Sequence, residues 1–416
     1  MTQQRTVTAT SFRKKPFWFN LINSGWRRSY FLGTKIKLEK NHLIKRAQKQ
    51  TGLQSFGSDF WEEPLDRLLH SVNHEALLSP VGRFITQQRM VSMLSIRLRA
   101  ERDFQRHPEI LEQELCPVLL ICGLQRTGTT KLHRLLAADP ENRVLLSWEA
   151  LNPVPLSDAP NEKEKRIKAA RLSEKALKLM APGFFSIHPV EYQQPEEDIL
   201  LLDTTFMSTT AEATLYVPSY AAWLEQTDQT PAYRYMIKLL KHLQWQRPAK
   251  RWVLKSPHHM EFLGVIKKEV PQVQFIWTHR DIVQSLPSFL SMVAHSQSIF
   301  SNHVSLTRVA DHWVRKTQYM LSKGLEFRKA NPDHLVTDVF YEELVGAPMK
   351  TLAEIYRPLG GISPEVQQRF METEKKNIQN KYGTHAYRLE DFGLTKQQVN
   401  EKMKFYSDFL NEAVLK

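Results

Sequence analysis

Three groups of residues in this chain have types and spacings that could do chemistry. The first is residues 123–130, Gly-Leu-Gln-Arg-Thr-Gly-Thr-Thr, which follow the apolar run 117–122 and precede Leu132, Leu135 and Leu136 at helical spacing. A strand, a glycine-bounded loop and a helix form an anion cradle, because backbone N–H groups and the helix N-terminus converge where a phosphate would sit. Gly123, Gly128 and Thr130 match the phosphate-loop pattern G-x-x-x-x-G-K-[ST], but Thr129 stands where a lysine would reach the β- and γ-phosphates. That substitution argues against an ATPase or kinase. The cation lies inside the loop as Arg126, with Gln125, Thr127, Thr129 and Thr130 around it.

The second group is Thr278-His279-Arg280-Asp281, after the apolar run 273–277, with Ser288 eight residues beyond Arg280 and directly after Pro287. Arginine offers a fork of donors suited to a phosphate, and a hydroxyl near a helix start adds another. An ordinary Arg280–Asp281 ion pair at a helix start fits the same text. The third group could move a proton: Trp148-Glu149, Pro195-Glu196-Glu197-Asp198, and Lys255-Ser256-Pro257-His258-His259. Glu149 and His258 compete as a general base. The acids at 196–198 either cap a helix N-terminus or contact a cation near a cleft. Adjacent histidines do not readily aim at one ion and no acidic cage is visible, so no metal is expected.

These groups need elements to hold them. The run 117–122 is apolar throughout and bounded by Pro and Gly, the form of a strand buried on both faces. Further strand-like runs at 143–146, 252–254, 273–277 and 334–339 alternate with helical text, which predicts an α/β fold: a parallel sheet with right-handed crossovers, flanked by helices. Residues 59–107 read as helix through Leu65, Leu68, Leu69 and Val72, then Met90, Met93, Leu94 and Leu98. Residues 161–180 read as an amphipathic helix with Ala169, Leu172, Ala176 and Leu179 on its inner stripe. The expected organisation is a basic aromatic arm over 1–50, a helical N-terminal region over 51–115, and an α/β domain over 116–416. A helical insertion at about 155–250 supplies many aromatics.

Composition narrows the class. Of 416 residues, 42% are apolar and 24% charged, which excludes a disordered, collagen-like or disulfide-stapled chain. Cys116 and Cys122 are the only cysteines, which fits a reducing, cytoplasmic setting. The net charge is +13, but residues 1–50 carry twelve basic side chains against Glu39 alone. The excess describes the arm, and nucleic-acid binding by the body is not implied. The arm interleaves Phe17, Trp18, Phe19, Leu21, Ile22, Trp26, Tyr30 and Phe31 with Arg13, Lys14, Lys15, Arg27 and Arg28. Two readings stand: peripheral contact with anionic lipid at the inner membrane surface, or aromatics packed on the body with the cations solvated. No run approaches the 18 or so apolar residues that span a bilayer.

Taken together and in order, the loop 124–130, Trp148-Glu149, Pro195-Glu196-Glu197-Asp198, residues 254–259, residues 278–281 and Phe392-Gly393-Leu394 resemble the sulfotransferases that use 3′-phosphoadenylyl sulfate, in particular the bacterial group related to the tyrosylprotein and carbohydrate enzymes. The resemblance implies a phosphate-loop-like sheet fold with residues 123–130 on the 5′ side of the donor nucleotide and Arg280 and Ser288 on its 3′-phosphate. It also implies a basic closing segment near the C-terminus, for which the nearest text is residues 380–385, with Lys381 and Gly383. Members related to the tyrosylprotein enzymes use a glutamate after the loop helix, pointing to Glu149; cytosolic small-molecule members use a histidine shortly after a lysine, pointing to His258. By analogy with phosphoryl transfer, Arg126 and Lys255 act electrostatically. The expected activity is sulfuryl transfer to a small-molecule or lipid-like hydroxyl acceptor. A small-molecule kinase and a non-catalytic membrane-surface protein are the alternatives.

Overall fold

The computed structural model describes residues 7–13, 15–30, 36–376 and 385–414. Five strands form one parallel sheet: β1 (Val118–Gly123), β2 (Asn142–Val144), β3 (Arg251–Lys255), β4 (Val273–His279) and β5 (Val336–Phe340), in the order β2-β3-β1-β4-β5. Every expected strand is present to within a few residues. β1 is buried at all six positions and is central, which is why its text is apolar without alternation. Alternate residues divide between the two faces. Val118, Leu120, Cys122, Trp252, Leu254, Phe275 and Trp277 join the larger core, whereas Leu119, Ile121, Val253, Ile276 and Val339 pack with Leu132, Leu135, Leu136, Ile355 and Phe370.

The register places the chemistry at one edge. Ile121 pairs with Lys255, and Gly123 with Thr278, so the residues that follow β1, β3 and β4 emerge together at the C-terminal ends of the strands. Open parallel sheets bind their ligands there.

The N-terminal region is helical: α1 (Phe17–Tyr30), α2 (Lys40–Thr51), α3 (Glu62–His74) and α4 (Pro80–Arg106). Ser79 caps α4 by accepting from the Gly82 N–H, and Pro80 occupies the first helical position. Leu43 and Ala47 of α2 are fully buried, so the last part of the basic arm is an element of the body. In α1, Phe19 and Asn23 are buried while Phe17, Trp18, Leu21 and Ile22 remain exposed. Lys15, just before it, donates to the Ser301 carbonyl and to Asn302 Oδ1, and burial lowers its pKa to about 8. No helix among the described residues is long and apolar enough to cross a membrane.

The helix α5 (Glu162–Met180) matches its expected bounds but not its expected face. Leu172 and Leu179 are exposed, and the buried positions are Glu162, Arg166 and Ala170. The inward side is taken by a charged pair: Glu162 binds Arg166, whose guanidinium lies 4.9 Å from the Trp148 ring centroid and donates to the Asn152 carbonyl and Gln246. Apolar spacing misleads where a polar network claims the core side.

Two long helices complete the site's frame, α6 (Ile282–Phe300) and α7 (Leu306–Ala330). Asp281 caps α6 by accepting from the Val283 N–H rather than pairing with Arg280. The last turn of α6 meets α4 at Gly82, where an added Cβ would lie 1.8 Å from the Phe300 carbonyl oxygen. Gly82→Ala is therefore expected to cost about 2 kcal/mol or more. Gly264→Ala, with nothing within 4 Å, should shift stability by less than about 1 kcal/mol. Thermal unfolding of both variants checks the pair.

Candidate active site

The loop after β1 is built by close approach. Gly123 has φ +127°, and a Cβ there would meet the Thr278 side chain at 2.5 Å and its carbonyl at 2.6 Å. Gly128, at φ +92°, precedes the helix Thr129–Leu136 and lies against Leu344 and Tyr341. Thr127 fastens the turn: its hydroxyl donates to the Leu124 carbonyl at 2.6 Å and lies 2.6 Å from Thr278 Oγ1. Thr129 and Thr130 open the helix, so their N–H groups are among those left unpaired at its start.

Arg126 adopts the left-handed conformation, φ +68°. For a long side chain this is a strained backbone, tolerated where a site over-determines it. Its Nε donates to Ser288 Oγ at 3.1 Å and its Nη1 to the Ile187 carbonyl at 3.3 Å. Arg280 donates from Nη1 to the Arg126 carbonyl at 3.0 Å and stacks over the Tyr341 ring at 3.9 Å, while its buried Nε has no partner. Burial first, and then the charge of Arg280, lower the Arg126 pKa. Among the described residues neither guanidinium has a carboxylate within ion-pair distance. Gly123, Gln125, Arg126, Thr127, Gly128, Thr129, Thr130, Arg280 and Ser288 thus come together. Lys381 lies outside the described residues.

Beside the loop stands Lys255, at the end of β3. Its Nζ donates to Glu197 Oε1 at 2.6 Å, and its backbone N–H donates to Asp198 Oδ1 at 3.1 Å. Asp198 Oδ2 lies 2.7 Å from His259 Nε2, whose Nδ1 lies 2.8 Å from the Tyr233 hydroxyl. This network answers the question the sequence left open. Asp198 precedes a short helix but makes no side-chain cap; it fixes the lysine strand end, and Glu197 contacts the cation.

A cleft opens next to this pair, and its polar lining includes Gln125, His188, Glu196, Glu197, Ser256 and His258. His258 is fully buried, with neither ring nitrogen partnered. Burial, then His259 and Lys316, hold its pKa well below the ordinary value, so the ring is neutral. His188 is likewise lowered by burial, against the raising effect of Glu196 and Glu197.

Glu149 sits among arginines. Its carboxylate accepts from Arg143 at 3.1 Å and from the Leu146 N–H at 3.1 Å, with Arg247 at 3.4 Å. Arg247 lies four residues before β3, and Glu149 is not among the residues that line the cleft. The tryptophan of α7, Trp313, and Phe289, Met292 and Val293 of α6 complete the cleft wall without any sequence signal to find them. Of the aromatics in the insertion, Phe184 lines the cleft, whereas Phe206, Tyr220, Tyr233 and Tyr235 are core.

A model of the sulfotransferase family matches residues 117–365. Among solved structures, sulfotransferase STF9 from Mycobacterium avium is similar over 90% of this chain and 97% of its own, at 26% identity and a TM-score of 0.81. Sulfotransferase STF1 from Mycobacterium tuberculosis is similar over 88% of this chain and 98% of its own, at 28% identity and a TM-score of 0.77. No curated protein matches the chain.

The Asp198–His259 pair gives the site an acid limit. Burial works to raise the Asp198 pKa, but His259 and the hydrogen bonds outweigh it and hold the pKa below the ordinary 3.8. A carboxyl lowered by folding contributes stability above its unfolded pKa and loses it as pH falls through the folded one. Asp198→Asn should therefore reduce stability at neutral pH and flatten the acid limb below about pH 4. Unfolding midpoints from pH 2 to 7 test this.

Proposed function

The chain belongs to the sulfotransferase family, and on that premise we propose that it transfers a sulfuryl group from 3′-phosphoadenylyl sulfate to the hydroxyl of a small molecule. The observation that carries this reading is the pair Arg126 and Arg280, adjacent, joined through a backbone carbonyl and unmatched by any described carboxylate. Residues 123–130 would hold the 5′ side of the nucleotide, and Arg280 with Ser288 its 3′-phosphate. The orphaned Arg280 Nε fits such a role. When bound, the donor supplies a sulfuryl group already joined to a phosphate leaving group.

The chain's own part is to position and to balance charge. Arg126 in the loop and Lys255 beside it offset negative charge on the sulfuryl and leaving oxygens. Glu197, partly exposed and at the cleft, takes the acceptor proton as the new oxygen–sulfur bond forms and the bond from sulfur to the bridging phosphate oxygen breaks, the electron pair leaving on the nucleotide. His258 suits this step less well, because an imidazolium there would be created in a buried setting near Lys316. Glu197 holds Lys255 at 2.6 Å, so the base and the cation start as a neutral pair and separate as charge develops between them.

Arg280→Ala is expected to weaken adenosine 3′,5′-bisphosphate about thirtyfold, the worth of a charge-assisted phosphate contact of about 2 kcal/mol. Affinity for adenosine 5′-phosphate should change little; equal losses would remove Arg280 from its role. Glu197→Gln should lower kcat by about a hundredfold or more with bisphosphate affinity intact. Glu149→Gln should instead cost about 3 kcal/mol of stability by stranding Arg143, with turnover per folded molecule retained. The reverse pattern would return the base to Glu149.

A further inference from the structure

The helix α1 carries apolar side chains on two faces. One face is seated on the body: Phe19 and Asn23 are buried, and Asn23 Oδ1 accepts from the Val81 N–H at the start of α4 at 3.0 Å. Trp26 meets the ring of Phe84 edge to face at 5.5 Å. The other stripe is Phe17, Trp18, Leu21 and Ile22, at positions i, i+1, i+4 and i+5, and it points into solvent, with Phe17 79% and Leu21 58% exposed. Phe84 of α4 is exposed as well. Single exposed apolar residues are ordinary, but a stripe running over two turns of one helix marks a surface that something covers.

Charge identifies what covers it. Eight basic residues, among them Arg13, Lys14, Lys15, Arg27 and Arg28, precede the first acid of the chain, Glu39. Arg13 stands exposed just before the helix. The segments that α1 and its approach pack against are equally free of acids. Neither residues 77–100, which hold most of α4, nor residues 297–310, where Ser301 and Asn302 bind Lys15, contain an Asp or Glu. A second copy of the chain would bring the same cations to the same face, and the two would repel. Nucleic acid would pair with the cations but leave Phe17 and Leu21 in water. An anionic bilayer surface meets both demands: its phosphates take the basic side chains, and the stripe enters the boundary between headgroups and acyl chains.

We propose that α1 is an interfacial helix, docked on the body through Phe19 and Asn23, that holds the protein reversibly on anionic lipid through Phe17, Trp18, Leu21 and Ile22. None of these residues lines the cleft, so the proposal stands apart from the catalytic reading.

The test is co-sedimentation of the full chain with vesicles of phosphatidylcholine and with vesicles that also contain about one third phosphatidylglycerol, at about 0.1 M and about 1 M salt. Binding to the anionic vesicles should exceed binding to the neutral ones about tenfold or more, and fall at high salt. The double variant Phe17→Ser, Leu21→Ser changes only side chains that are mostly in solvent. It should bind anionic vesicles at least tenfold more weakly, while its melting temperature and its affinity for adenosine 3′,5′-bisphosphate match the parent. Absence of binding to the anionic vesicles overturns the proposal. So does binding that the double variant retains in full, which would leave the contact to charge alone. A parent that sediments as a dimer, and a double variant that sediments as a monomer, would give the stripe to a second copy and overturn it likewise. Bisphosphate affinity is read separately: its absence in the parent would remove the donor reading and leave the lipid result standing.

Discussion

Arg126 and Arg280 sit side by side at the C-terminal edge of the sheet, one donating to the backbone carbonyl of the other. Like charges so placed repel, and burial adds to the cost. The fold nonetheless fixes them there by several independent means. Gly123 lets β1 turn against Thr278, Thr127 ties the turn to the same threonine, Ser288 receives Arg126 from α6, and Tyr341 provides a ring face for Arg280. Polar and steric constraints from four parts of the chain meet at a point where the protein alone is under-neutralised. An anion bound there would relieve that imbalance.

The second constraint is the chain of contacts from Tyr233 through His259 and Asp198 to the Lys255 backbone. It anchors the end of β3 to the inserted helices, so the lysine's position depends on residues far away in sequence. Glu197 belongs to the same four-residue motif as Asp198 but points its carboxylate to Lys255 Nζ. One short acidic stretch thereby provides both the support for the strand end and the partner of its lysine.

Much of this was legible before the structure. Buried parallel strands are continuous apolar runs, so all five were readable, and the glycines and Arg126 after β1 marked the loop by type and spacing. For Glu149 the sequence shows that a carboxylate follows a strand but not its partners, Arg143 and Arg247, the latter far away along the chain. The inner stripe of α5 was misread because Glu162 and Arg166 satisfy one another and claim the buried side. Trp313 and the α6 wall were invisible for another reason: a tryptophan lining a cleft and one filling a core leave the same letter at the same spacing. The acids at 196–198 were noticed, but only their long-range partners distinguish a cap from a clamp.

The central claim is that the two guanidiniums bind a nucleotide with phosphates on both its 3′ and 5′ sides. Calorimetric titration of the parent chain with adenosine 3′,5′-bisphosphate, beside ATP with magnesium, tests it most directly. The account predicts tight one-to-one binding of the bisphosphate without added metal and much weaker binding of Mg·ATP. A preference for Mg·ATP, or no binding of the bisphosphate, would contradict it.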